Sequence, residues 1–328
     1  KNIDKQFKEL FWDEIKHRID EEAKQFEQKE NCQTLGSSNL CWSLNQLTSD
    51  VSHYKFAGEY EGKPQRFELL KIKKNGKAKL KVQDARGVFK KREKSSFGRL
   101  HLTDLASRVP NVIAAISGGN FHYNPPPGEY YLWDGAEYKE GDPIGEVVVD
   151  GKVISQNPDQ KNWGSFRIDT SGQSSIVSTE SPTLEKNIPQ YSLGAVPILI
   201  KKGRPVTTPE LGSALSLKAK QAPTPGIQFQ SHINMHHARA AVCKTEQDDH
   251  LLAIIEGRQK DAEGLRMAQF ARFLKSLGCK DALNLDGGGT ADLVTKDKDG
   301  KFKSTVTSSD LKGKRPVATS IVITEELI

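Results

Sequence analysis

Residues 284–290, Asn-Leu-Asp-Gly-Gly-Gly-Thr, carry the densest chemistry in this 328-residue chain. A strand pattern, Asp281–Leu285, leads into a carboxylate and then three glycines. Consecutive glycines weaken any regular element, so their presence needs a reason. Close approach of a ligand is one. The N–H groups of Gly287, Gly288 and Gly289 would then cradle a sugar or phosphate oxygen while Asp286 does acid–base or nucleophilic work. A flexible turn is the plainer alternative. The run lacks the Gly-Lys-Ser/Thr ending of a nucleotide phosphate loop.

Ser117-Gly118-Gly119-Asn120-Phe121 repeats the form of apolar strand, glycines, polar residue. Two such exits in one domain suggest one shared cleft. His232, His236, His237 and Arg239 cluster before the apolar run at 240–242. Arg239 at a strand entrance is placed to fork a phosphate, or to make a structural salt bridge. No acidic ligand stands at metal spacing, so no metal site is expected. Glu256 ends another apolar strand, either as a second catalytic acid or as part of a polar turn. Asp297-Lys298-Asp299-Gly300 lacks the distal Glu of a calcium loop and reads as a turn. Neither Gly-x-Ser-x-Gly nor His-Glu-x-x-His occurs, which removes the commonest serine hydrolase and zincin signatures.

These residues need elements to hold them. Residues 1–30 carry apolar side chains at three- and four-residue spacing, from Ile3 and Phe7 to Phe26, and predict one amphipathic helix. Its stripe must pack on the body of the protein, a second copy or a membrane interface. Packing on the body is preferred, and self-association is the expectation for a partner of its own kind. Residues 31–50 read as a polar linker. From 54 onward strand patterns dominate. Phe67–Ile72 and Ala78–Val82 flank Lys74-Asn75-Gly76, a hairpin signal, and Val147–Ile154 is turned by Asp150-Gly151. Helices are expected at Leu102–Val109 and Ala262–Leu277, the latter closed by Gly278. The fold class is α+β: a strand-rich mixed-sheet domain at 54–328 with a few packed helices, preceded by the helix and linker at 1–50.

Charge and cysteine usage bound the setting. The net charge is +6, yet Lys71–Lys94 alone holds 11 Lys/Arg against 2 Asp/Glu, or +9, leaving −3 for the rest. That stretch is a solvated surface or a footprint for a polyanion. No aromatic ladder interleaves its lysines, so nucleic acid is not expected. No run approaches about 18 apolar residues, so no transmembrane helix is expected. Cys32, Cys41, Cys243 and Cys279 form no C-x-x-C. Cys32 and Cys41 bracket a short loop and could bridge in an oxidising compartment, or stay as thiols. The chain begins at Lys1, which reads as removal of an N-terminal segment.

Taken in order, these motifs resemble the phosphodiester glycosidase family. Ala115–Phe121 is similar to its A-I-N-G-G-F-F stretch, and Thr103–Ala106 to the T-x-x-[DE]-L-A helix before it. Gly145–Ile154, Gly194–Gly203 and His237–Cys243 resemble three further elements. Asn284–Thr290 nearly reproduces N-L-D-G-G-G-S, and Arg315–Ala318 reproduces R-P-V-A. The resemblance covers about 65–325 and departs at Ser117, Ala240 and Asp292, where the family carries Asn, Thr and a small or hydroxylic residue.

The resemblance implies hydrolysis of a sugar-1-phosphodiester at the glycosyl C1–O bond, releasing an N-acetylglucosamine-like sugar and a phosphomonoester. Asp286 would face the anomeric carbon, where oxocarbenium character builds. Arg239, helped by His237, would bind the leaving phosphate. Glu256 would activate water. Gly118, Gly119, Gly287, Gly288 and Gly289 would admit the ligand, and Asn120 and Thr290 would bind its oxygens. No cofactor is expected. Bacterial members of the family are often described as exopolysaccharide-biosynthesis proteins, and an extracytoplasmic setting in the cell envelope or secreted fits glycan phosphodiesters. The alternatives are a glycan- or polyanion-binding relative without catalysis, and a hydrolase of another linkage.

Overall fold

The computed structural model describes residues 31–35, 38–60, 62–86, 98–121, 141–156, 164–178, 188–207 and 232–325. The helix expected at 1–30 and the lysine-rich residues beyond Arg86 lie outside them. In chain order the elements begin with β1 (Asn31–Leu35), β2 (Ser38–Thr48), β3 (Val51–Tyr60), β4 (Lys63–Ile72), β5 (Lys79–Asp84), α1 (Leu102–Ala106) and β6 (Val112–Ser117). Next come β7 (Val147–Val149), β8 (Lys152–Ser155), β9 (Gly164–Ile168), β10 (Ser174–Ser178), β11 (Tyr191–Ala195), β12 (Ile198–Lys201) and β13 (Arg204–Pro205). The last are β14 (Arg239–Thr245), β15 (His250–Ile255), α2 (Met267–Ser276), β16 (Cys279–Leu285), β17 (Leu293–Lys296), β18 (Phe302–Ser304) and β19 (Thr319–Thr324).

Three sheets result. One has nine strands in the order β1-β2-β3-β4-β15-β14-β16-β12-β13. Two have five, β10-β9-β11-β7-β8 and β18-β17-β6-β19-β5. The central strands of the large sheet are apolar on both faces because both are covered. Ala241, Cys243, Ala253 and Ile255 face α2, whose Phe270, Phe273 and Leu274 are buried against them. Ala240, Val242, Leu252, Ile254 and Leu285 face the smaller sheets, meeting Ile116, Leu293 and Ile321 from one and Phe166 and Leu193 from the other. Burying each of these large side chains stabilises the fold by about 1.5–3 kcal/mol. The strand-rich α+β reading holds for the described residues.

Three local expectations are corrected. Residues 31–48 are not a linker: β1 and β2 form a hairpin that adds two antiparallel strands to the large sheet, with Trp42 paired to Phe56. The alternation Leu40, Trp42, Leu44, all buried, is the strand signal that polar neighbours obscured. Lys74-Asn75-Gly76 does not turn a hairpin either. β4 pairs with β3 and β15, whereas β5 pairs with β19, so the segment crosses between sheets. Neither Asn75 nor Gly76 has the positive φ of a hairpin turn. Asp50 enters the loop instead, its Oδ2 accepting from Lys77 N at 2.7 Å. By contrast Asp150 and Gly151, both at positive φ, do turn β7 into β8.

The third correction is the start of α2, five residues later than the apolar spacing implied. Leu265 is bridged through its backbone to His237 and is withdrawn from the helix. Gly278 at φ 87° ends the helix as expected.

All four cysteines are bridged, Cys32 to Cys41 and Cys243 to Cys279. The second pair, which the sequence spacing did not suggest, ties β14 to β16.

Candidate active site

Register explains why distant motifs meet. β14 runs antiparallel between β15 and β16, with Arg239 opposite Ile255 and Ala240 opposite Leu285. The approach His237-Ala238, the exit Glu256-Gly257-Arg258 and the exit Asp286–Thr290 therefore emerge at one end of the large sheet. From the neighbouring sheet the exit of β6 reaches the same place, where Asp286 N donates to Gly118 O at 2.9 Å.

The Asp286 carboxyl is the centre of this convergence. Its Oδ1 accepts from Asn120 Nδ2 at 3.1 Å and from Gly287 N at 3.0 Å. Its Oδ2 lies 2.8 Å from Thr290 Oγ1, which is also 2.7 Å from Gly287 O. Burial pushes the carboxyl above its ordinary range, while the bonds from Thr290 and Gly287 and the charge of Arg315 oppose that rise. The geometry accepts both protonation states. An ionised carboxylate takes the Thr290 proton. A protonated one donates from Oδ2 to Thr290, whose own hydrogen then goes to Gly287 O. Asn120 Oδ1 is buried with no hydrogen-bond partner, an unsatisfied acceptor beside the carboxyl.

The structure gives the glycines a packing reason of their own. A Cβ on Gly118 would lie 2.6 Å from the Thr319 backbone, and one on Gly119 would strike the Gly194 carbonyl oxygen. At Gly287 it would meet Ala238 O at 2.8 Å, and at Gly289 it would enter the Asp310–Arg315 ion pair. Gly288 has φ 65°, which favours glycine on its own account. Protein already fills these spaces, so tight packing of strand exits demands the glycines.

A basic cluster adjoins the loop. Arg258 Nε donates to His237 Nδ1 at 2.8 Å and its Nη1 reaches Asp310 at 3.4 Å. Arg315 Nε pairs with the other oxygen of Asp310, and Arg315 N donates to Gly289 O at 2.9 Å. Arg239 is brought near but presents no fork. It is 1% exposed, and its guanidinium donates to Leu265 O at 3.0 Å, His232 O at 2.5 Å and Met235 O at 3.1 Å. Burial, then Arg258, lowers it to about 9. Burial and Arg239 likewise lower His232 to about 3 and His237 to about 4, so both rings are neutral.

Glu256 leaves β15 at this same sheet end, but its carboxylate is engaged by a different partner. Its buried carboxylate pairs with Arg66 Nη2 at 2.7 Å and lines a separate cleft of about 270 Å³ with Lys55, Glu68 and Thr305. Sequence reasoning passed over Arg258 and Asp310. The signal for Arg258 was its place two residues after a strand-end carboxylate. Asp310 had none, lying in a polar loop. Among the described residues no group of three or more His, Cys, Asp or Glu is arranged to hold a metal.

Strand exits thus gather a hydrogen-bonded carboxyl and a basic cluster at one end of the large sheet. The chain belongs to the phosphodiester glycosidase family, whose model matches residues 110–324. It is 28% identical to mouse (Mus musculus) N-acetylglucosamine-1-phosphodiester alpha-N-acetylglucosaminidase over 158 residues, covering 47% of this chain and 29% of the mouse protein. The zebrafish catalytic domain of the enzyme with that name, auto-inhibited by its pro-peptide, shares the fold at TM-score 0.58 and 19% identity, covering 91% of this chain and 88% of its own. A hypothetical protein from Synechocystis does so at TM-score 0.57 and 14% identity, covering 91% and 68%. A Burkholderia pseudomallei protein described as a putative exported protein matches at TM-score 0.55 and 15% identity, covering 80% of this chain and 74% of its own.

Proposed function

We propose that this chain hydrolyses a sugar-1-phosphodiester at the glycosyl C1–O bond. The observation that carries the reading is the Asp286 carboxyl, oriented by Asn120, Gly287 and Thr290 beside a basic cluster. Water adds to C1, and the phosphodiester leaves as a phosphomonoester. The proton from water ends on the departing phosphate oxygen or on solvent. Asp286 faces the developing oxocarbenium ion as stabiliser or nucleophile. A phosphodiester is already a good leaving group, so cationic stabilisation matters more than a strong general acid. Arg258 supplies that charge, and His237 a neutral Nε2–H donor. Arg239 acts as a fixed positive charge behind them. Asn120 binds a sugar hydroxyl or acetamido N–H through its free Oδ1.

An N-acetylglucosamine-like sugar is the proposed glycosyl group, supported by the name of the mouse relative. Two disulfides support an extracytoplasmic setting. No helix among the described residues is long and apolar enough to cross a membrane.

The test is release of free sugar from UDP-N-acetylglucosamine and methyl-phospho-N-acetylglucosamine by the wild type beside Asp286→Asn. Release by the wild type alone supports the reading. A folded wild type that cleaves no member, or an active Asp286→Asn, overturns it.

A further inference from the structure

Beneath the loop that carries Asp286 lies a second polar cluster. Two of its members, Ser117 and Asp292, are positions where this chain departs from the family pattern, and they touch. Ser117 N donates to Asp292 O at 3.0 Å, and Asp292 N donates back to Ser117 Oγ at 3.1 Å. Ser117 leads into Gly118-Gly119-Asn120, and Asp292 closes the loop that opens at Asp286. The exchange therefore holds the two exits together one step behind the carboxyl.

The Asp292 side chain faces inward, 4% exposed. Its Oδ1 accepts from Leu293 N at 3.0 Å and from Ser304 Oγ. Lys314 Nζ lies 3.6 Å from the same oxygen. That ammonium also donates to Ala291 O at 2.7 Å and Thr307 O at 3.1 Å. The next residue, Arg315, takes Gly289 O through its backbone N. Lys314 and Arg315 thus clasp the loop at Gly289 and Ala291, on both sides of Thr290.

We propose that Lys314 is a positioning residue: with Asp292 and Ser117 it fixes the Gly287–Asp292 loop so that Thr290 and Gly287 hold the Asp286 carboxyl against Asn120. Lys314 touches no reacting atom; it acts through Ala291 and Asp292. A buried carboxylate and a half-buried ammonium so placed depend on each other, because removing the ammonium leaves the carboxylate without its counter-charge. Burial holds the Lys314 ammonium below its ordinary range while Asp292 opposes that shift.

The inference deepens the proposed function without depending on it for its test. Hydrogen exchange at the amides of 287–292 is measured for wild type, Lys314→Met and Lys314→Met/Asp292→Asn. Sugar release is measured beside it. Expected in Lys314→Met is exchange at least about tenfold faster at 287–292 with the core of β14–β16 unchanged. Turnover falls by about tenfold or more with KM within about threefold, as befits lost orientation rather than lost binding. The double variant restores global stability but not local protection. If Lys314→Met does not fold, the double variant carries the exchange test alone. Wild-type protection at 287–292 in a folded variant overturns the proposal, as does faster exchange spread uniformly over the chain. A wild type inert on every sugar phosphodiester, with local protection lost in the variant, removes the catalytic reading and leaves the positioning role standing.

Discussion

Arg258 Nε and His237 Nδ1 stand 2.8 Å apart, and only one of them can donate. The guanidinium has no lone pair to offer, so Nδ1 accepts and His237 is neutral with its proton on Nε2. Burial and the Arg239 charge enforce the same state, lowering the ring to about 4. Protonation would break the contact and place a fourth cation beside Arg239, Arg258 and Arg315.

Acid stability follows from this. His232, His237 and His250 are lowered to about 3, 4 and 4 by burial first. Their unfolded counterparts protonate near about 6.5. Between those values the unfolded chain binds more protons, so stability falls as pH drops from about 6.5 to about 4. Thermal unfolding across that range should show a falling midpoint. His250→Gln should flatten the fall, because His250 meets Ser174 away from the basic cluster and can be exchanged alone. A midpoint level from pH 7 to 4 would contradict the burial assigned to these rings.

The two arginines should fail in different ways. Arg258→Lys keeps a charge but loses the fork that meets His237 and Asp310. KM for a phosphodiester should rise at least about tenfold with the unfolding midpoint little changed. Arg239→Met removes the buried guanidinium that Leu265, His232 and Met235 share, stranding three carbonyls. Stability should drop by about 3 kcal/mol or more, read from denaturant midpoints. Reversed outcomes would return the phosphate-binding role to Arg239.

Much of this site was legible, and what escaped has a physical cause. The strand–carboxylate–glycine form of 284–290 located Asp286, and the matching form at 117–121 located Asn120. The two forms meet in the structure through Asn120 and Asp286, and each was readable because a strand exit and its glycines are written in adjacent residues. Glu256 had the same appearance, yet its partner Arg66 comes from β4, 190 positions away in sequence. Arg239 looked like a fork because its burial depends on the backbone of Leu265, which only tertiary structure brings near. The Asn75-Gly76 signal misled for the same reason: Asp50 claims the loop. Local chemistry was readable, whereas the choice between two uses of one residue lay in long-range contacts.

The glycines offer a test of packing against ligand approach. Gly119→Ala places a methyl against the Gly194 carbonyl, backbone on both sides. Loss of about 2 kcal/mol or more is expected with no ligand present, seen as a lower unfolding midpoint. A variant of wild-type stability that binds substrate poorly would instead restore the ligand-approach explanation.

Asp286→Asn separates function from folding most sharply. The amide keeps the shape of the carboxyl: its Oδ1 still accepts from Asn120 and Gly287, and its Nδ2 can donate to Thr290 Oγ1. What disappears is the charge that would meet a developing oxocarbenium ion. Sugar release should fall by at least about a thousandfold, the scale on which loss of a catalytic carboxylate or nucleophile is felt. Stability should move the other way. Burial raises the Asp286 carboxyl, so at neutral pH the folded state holds a charge less comfortably than the unfolded chain does. The amide lifts that penalty, and the unfolding midpoint at pH 7 should equal or exceed the wild type. The gain should shrink as pH falls and the wild-type carboxyl takes its proton. A variant that is inactive and also less stable at pH 7 would mean that Asp286 is chiefly a structural acceptor for its three partners, and the catalytic centre would have to be sought elsewhere at this end of the sheet.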